Sequence, residues 1–138
     1  PMEAPFAAPA GVVSGKFIFY SGIMGVNKNS SLVKNIDDID KPSKSLRALC
    51  LEKDPILVSQ CWAALQLLSQ IAEGAGSTID NLVKISIYMR QSSDFEVFDM
   101  VISEFIEEVN LPAIECVIIP NPGPVEEAVM QIEAIGIV

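Results

Sequence analysis

Two carboxylates, an amide and a thiol lie within two short apolar stretches near the end of the sequence. The first reads Leu111-Pro112-Ala113-Ile114-Glu115-Cys116-Val117, and the second Gln131-Ile132-Glu133-Ala134-Ile135-Gly136-Ile137-Val138. Carboxylates beside apolar walls lose hydration and keep their protons to higher pH, which suits Glu115 and Glu133 to general acid or base work near neutrality. The plainer alternative for both is a solvated strand carboxylate, or a partner for a lysine across an interface. Cys116 is a candidate pocket wall or nucleophile, against the alternative of an incidental thiol. Pro112 fixes its own φ and steers Leu111 into an extended conformation. The chain therefore enters a strand at a defined place, with the residues after the proline at its mouth, where a binding site would sit.

Several elements must position these groups. A strand is expected over Lys16–Gly22, aromatic and β-branched and bounded by Gly15 and Gly22. Residues 27–53 are rich in Asn, Ser, Asp and Lys and read as a long, mostly irregular excursion, with room for a helical turn over Ser43–Leu51. So long a loop in a small domain is either disordered or functional, for instance as a cover over a pocket. Asp54 as N-cap and Pro55 at the first helical position open a helix ending around Glu73–Gly74. Its apolar stripe is Leu57, Cys61, Ala64, Leu65, Leu68, Ile71 and Ala72, with Trp62 packing at its edge.

A strand over Val83–Met89 follows, ending beside Arg90, which reads as an exposed strand-end charge or a cation available to a ligand. Asp94 is expected to cap a second helix with the stripe Phe98, Val101, Ile102, Phe105 and Val109, and with Glu104, Glu107 and Glu108 as a solvated face. Strands are then expected from about 115 to 119 and from about 128 to 137, separated by the Pro-Asn-Pro-Gly-Pro turn at Pro120–Pro124. This interleaving predicts an α+β domain: a single mixed β-sheet with two helices packed on one face.

With 138 residues the chain fits one domain spanning residues 11–138, preceded by an extended Pro- and Ala-rich lead-in over 1–10. Pro1 before Met2 reads as the remnant of a cleaved tag. Hydrophobic residues make up 50% and charged residues 20%, so part of the apolar surface is expected to meet another subunit. Nine Lys and Arg oppose 18 Asp and Glu, a net charge of -9, which argues against a phosphate backbone as partner; the absence of histidine argues against the usual acid–base cleavage of RNA. The three cysteines, Cys50 in a polar loop, Cys61 and Cys116, lack metal-ligand spacing. No metal, cofactor, nucleic acid or membrane is expected, and the protein reads as cytoplasmic.

The framing residues resemble the reactive intermediate deaminase (Rid, YjgF-like) family, with its signature Pro-Ala-Arg-Ser/Thr-x-Val and a closing strand of the type Val-Glu-Ile-Glu-Ala-Ile-Ala. Pro112, Ala113, Cys116 and Val117 fit the first part, and Ile132-Glu133-Ala134-Ile135 the second. The strand ending Ser21-Gly22 and the linker Gly76–Lys84 are also similar. The resemblance runs from about Gly11 to Val138. It implies the chorismate mutase-like Rid fold, assembled as a homotrimer whose sheets line a central barrel, with small-molecule clefts between neighbouring subunits.

In deaminating members of that family the arginine anchors the carboxylate of a 2-aminoacrylate-type enamine or imine, and water attacks the iminium carbon to release ammonia. Ile114 stands at the arginine position, Glu115 at the Ser/Thr position, Gln131 at the first glutamate, and Ile23 where many members carry glutamine. A lead-in tyrosine of the family aligns with Ala8. The expected ligand-contacting positions are then Ile114, Gln131, Ile23 and Tyr20, with Arg90 as a replacement cation from the strand end, against the plainer alternative of an exposed charge. Glu115 or Glu133 would be the general acid or base, and Cys116 a pocket wall or nucleophile. An arginine fork binds a carboxylate bidentately and isoleucine does not, so the usual 2-aminoacrylate reaction is not expected. The expected function is action on a small, less acidic reactive metabolite; the alternative is a non-catalytic trimer with a vestigial cleft.

Overall fold

The computed structural model describes residues 10–138, so the expected lead-in, Pro1 and Ala8 lie outside the described residues. The elements run β1 (Gly11–Ser14), β2 (Phe17–Ile23), α1 (Lys44–Glu52), α2 (Pro55–Gly74), β3 (Leu82–Met89), α3 (Asp94–Ile102), β4 (Ala113–Ile118) and β5 (Met130–Ile137). The strands form one mixed sheet in the order β1-β2-β5-β3-β4. Three neighbouring pairs are antiparallel, whereas β3 and β4 are parallel and α3 makes the required crossover. The fold is the α+β arrangement of a mixed sheet with a helical layer on one face, with three α-helices where two were expected.

The core lies between sheet and helices. Ile18 and Ile23 of β2, Ile85, Ile87 and Met89 of β3, and Ile132 of β5 are buried and face α2. From α2 come Leu57, Val58, Cys61, Leu65 and Leu68, while Phe98 of α3 closes the end. Each fully buried leucine contributes about 1.5–3 kcal/mol of transfer free energy. Asp54 accepts a hydrogen bond from the Ile56 N–H (3.0 Å), and Pro55 occupies the first turn, as the sequence predicts. At 20 residues α2 has the length and hydropathy of a membrane span, but 61% of its most apolar window is buried within this domain, whose central helix it is.

Gln60, like its neighbour Ser59, is a fully buried polar residue of α2. Its Nε2 donates to the Glu127 carbonyl (3.2 Å), and its Oε1 accepts from the Val129 N–H (2.9 Å), tying the helix to the segment entering β5. Gly25 rests directly on this point. A Cβ there would stand 2.5 Å from Gln60 Cα, so only glycine permits the approach.

Three expectations are corrected. Within residues 27–53 the expected helical turn is a full helix: Ser43 accepts from the Leu46 N–H (3.1 Å) and caps α1, which packs on α2 through buried Leu46, while most of the stretch before it is irregular. Asn35 caps a short 3-10 turn over Ile36–Asp38. Cys50 therefore belongs to a helix rather than a polar loop, and α1 joins the helical layer. Second, Ser93 rather than Asp94 precedes α3, and the helix ends at Ile102, well short of Val109. The Ser103 hydroxyl donates to the Met100 carbonyl (2.6 Å) and competes with helical bonding; the following turn then sends Ile106 into the core and stacks Phe105 edge-on against Trp62 with ring centroids 4.9 Å apart. Val109 is left 87% exposed. Third, Gly22 (φ +69°) does not end its strand: it sits in a bulge between Tyr20 and Ile23 that returns Ile23 to the core.

Candidate functional site

Strand alternation sorts the candidate residues onto two surfaces. In the parallel register Ile114, Cys116 and Ile118 stand opposite Ile85, Ile87 and Met89, whose side chains face the helices. Glu115 stands opposite Ser86, on the face that carries no helix. On the far side of β3 Ser86 pairs with Glu133, and Tyr88 with Gln131. Glu115, Ser86 and Glu133 thus form one row across β4, β3 and β5, with the two glutamate Cα atoms about 10 Å apart at ordinary strand spacing. Rows on either side bring Lys84 with Ile135, and Tyr88 with Gln131. Glu115, Gln131 and Glu133 are brought together; Ile114 and Cys116 are not among them.

The β4–β3 end of the row is joined by a hydrogen bond. The Ser86 hydroxyl donates to Glu115 Oε1 (2.9 Å), and Lys84 Nζ lies 3.7 Å from the same oxygen. The Tyr88 phenol is pushed above its ordinary value, first by burial and then by the charge and hydrogen bonding of Glu133. A recess of about 260 Å³ opens on this face, lined among others by Phe19, Ser21, Lys84, Ser86, Glu133 and Ile135. Both glutamates are exposed in the protomer, so the apolar surroundings expected of them are not supplied by one chain alone.

Of the remaining candidates Tyr20, although buried, borders the recess, and the others lie elsewhere. Ile23 is completely buried and Ile114 packs against the core. Tyr20 is 2% exposed; burial raises its phenol pKa, and its hydroxyl has no hydrogen-bond partner among the described residues. Arg90 is exposed just beyond β3. Cys116 is on the outer edge of the sheet, and its thiol is pushed up by burial and then by the charge of Asp94, the direction opposite to that of an activated nucleophile. Asp94 is itself buried, with Oδ1 accepting from Gln91 Nε2 (3.1 Å). No group of three His, Cys, Asp or Glu among the described residues is placed to hold a metal ion.

Sequence reasoning passed over Lys84, Ser86 and Tyr88, which complete the row. Their signal was the period-two alternation Lys84-Ile85-Ser86-Ile87-Tyr88-Met89, polar on one face and apolar on the other. Phe17 and Phe19 continue the open face, with rings 6.3 Å apart, and so does Ile137; the three are 40–48% exposed.

Comparison with known proteins agrees with this architecture. A structure described as a putative endoribonuclease from Klebsiella pneumoniae is 24% identical and superposes with a TM-score of 0.81, covering 94% of this chain and 99% of that one. RidA from an Antarctic Psychrobacter is 19% identical with a TM-score of 0.70, over 98% of this chain and 91% of its own. TdcF from E. coli, solved with bound serine, is 19% identical with a TM-score of 0.67, over 99% and 91%. These likenesses establish the fold. A comparison with curated protein sequences finds no match. The family described as endoribonuclease L-PSP matches residues 2–138, and the chain accordingly belongs to this family, the YjgF/Rid proteins.

Proposed function

We propose that this chain is a divergent Rid-type protein that hydrolyses a small imine or enamine lacking a carboxylate, in a cleft on the open sheet face closed by a neighbouring copy in a homotrimer. The observation that carries the proposal is the Glu115–Ser86–Glu133 row, in which two carboxylates flank a hydroxyl beside a recess of small-molecule size. Water adds to the iminium carbon as Glu133 takes one of its protons. The C–N bond of the resulting carbinolamine then breaks, leaving a carbonyl compound and ammonia, with the proton returned to the departing nitrogen. Lys84, the cation that lines the recess, is engaged by Glu115, so the recess offers a carboxylate no free charge-assisted clamp. The exposed Phe17, Phe19 and Ile137 beside the row support a covering subunit. RNA is disfavoured by the net charge of -9 and the lack of histidine. Three free cysteines accord with a cytoplasmic location.

The test follows ammonia release from imines generated in place by an amine oxidase acting on carboxylate-free amines, alongside 2-aminoacrylate. Hydrolysis of the former should exceed the buffer rate and fall about 100-fold in Glu133→Gln, while 2-aminoacrylate stays at background. Equal background for every imine would leave a binding protein without turnover. Rapid 2-aminoacrylate hydrolysis would overturn the exclusion of carboxylate substrates. Light scattering on the eluting protein should give three copies of the 14.9 kDa chain.

A further inference from the structure

We infer that the recess on the open face selects a cation, so that the ligand enters as an iminium or ammonium ion. This rests on the function proposed above and names the charge of its substrate. The inference comes from how the charges around the recess are shared out. Lys84 is the cation among its lining residues, and it is already engaged: its Nζ lies 3.7 Å from Glu115 Oε1, the oxygen that also accepts from Ser86. Glu133 also lines the recess, and no lysine or arginine among the described residues stands within ion-pair distance of it. Lys84 and Glu115 cancel, so the recess carries the uncompensated charge of Glu133 within a chain of net charge -9.

The rest of the lining suits the same ligand. Phe19 is 46% exposed and borders the recess, so an aromatic ring is available to a cation seated beside Glu133. Ser21 and Ser86 supply hydroxyl oxygens that accept N–H groups, and Ile135 provides an apolar wall. An anion placed here would meet Glu133 without a free cation in compensation. A protonated imine is also the form whose carbon is most open to attack by water, so a site that favours the cation favours the reactive species.

The test uses three probes of similar shape: choline, its uncharged isostere dimethylbutanol, and the tert-butylacetate anion. Each is titrated into the isotopically labelled protein while the amide signals of Ser86 and Glu133 are followed. Choline should bind at least 5-fold more tightly than the alcohol, the anion should not bind, and added salt should weaken choline binding. Glu133→Gln should remove the preference over the alcohol, and Phe19→Leu should weaken choline about 2- to 5-fold. Lys84→Met should strengthen choline binding, because it releases Glu115; a purely structural lysine would give no such gain. Choline binding no better than the alcohol, a preference for the anion, or weaker choline binding in Lys84→Met would overturn the inference. Choline selectivity without imine turnover would leave the cation site standing and remove the hydrolytic function. Turnover without choline selectivity would do the reverse.

Discussion

Gln60 offers a sharp test of what holds the open face in place, because it joins α2 to the segment that delivers Gln131 and Glu133. Gln60→Ala removes both side-chain bonds. The Val129 N–H, in a residue 5% exposed, is stranded at a cost of about 1–3 kcal/mol, whereas the carbonyl of exposed Glu127 recovers water and adds no more than about 1 kcal/mol. The space left by the amide and its stem adds about 1 kcal/mol. The expected loss is therefore about 2–5 kcal/mol, and with a few degrees per kcal/mol for a domain of this size the melting temperature should fall by about 10 °C. The single tryptophan, Trp62, reports urea unfolding, with protein concentration held constant so that assembly does not shift the comparison.

Gln60→Glu separates the donor from the acceptor. Either protonation state accepts from Val129, but only the neutral acid donates to the Glu127 carbonyl, and burial raises the folded-state pKa of the introduced carboxyl. A folded pKa above the unfolded value of about 4.3 gives stability that is complete below that pH and lost as pH rises. The deficit of Gln60→Glu relative to wild type at the same pH should therefore shrink between about pH 7 and pH 4. A Gln60→Ala cost below about 0.5 kcal/mol at unchanged denaturant slope, or a Gln60→Glu deficit that grows on acidification, would refute the role assigned to this residue.

Two further outcomes are expected. Burial, and secondarily the charge of Asp94, raises the Cys61 thiol well above its ordinary 9.0, so its contribution to stability is present below that value and lost as pH rises above it; Cys61→Ala should flatten the fall in unfolding free energy measured across roughly pH 8 to 10. Val109→Asp should change stability by less than about 0.5 kcal/mol in urea unfolding, because the side chain is 87% exposed, whereas a helix extended to that residue would have buried it.

The parts of the fold legible in the sequence were those with a strong period and a local stop signal. α2 announces itself by Asp54, Pro55 and seven apolar positions at helical spacing, and β5 by its alternation, and both form close to where they are expected. The missed boundary of α3 depends on a different kind of information. Phe105 and Val109 continue the helical spacing, but the Ser103–Met100 hydrogen bond and the contact of Phe105 with Trp62 divert the chain, and the second of these arises only in three dimensions. α1 was foreseen only as a possible helical turn, because it is short and its anchor is the single buried Leu46. At the site, the Pro112 segment points to a strand but not to its neighbours. Only the parallel register with β3 places Ser86 beside Glu115, and no spacing within the Pro112–Val117 stretch contains Lys84 or Tyr88.

The parallel pairing of β3 and β4 also partitions mutational change. Residues 114 and 115 are adjacent in the chain, yet one belongs to the helix-backed side and the other to the open face. A change at Ile114 alters the core-facing edge and leaves the Glu115–Ser86–Glu133 row untouched, whereas a change at Glu115 reaches Ser86 and Lys84 without disturbing the packing behind them. A short stretch of edge strand is thus two independent design variables written in alternating letters. Packing on one side and charge pattern on the other can change separately, with neither step requiring the fold to be rebuilt.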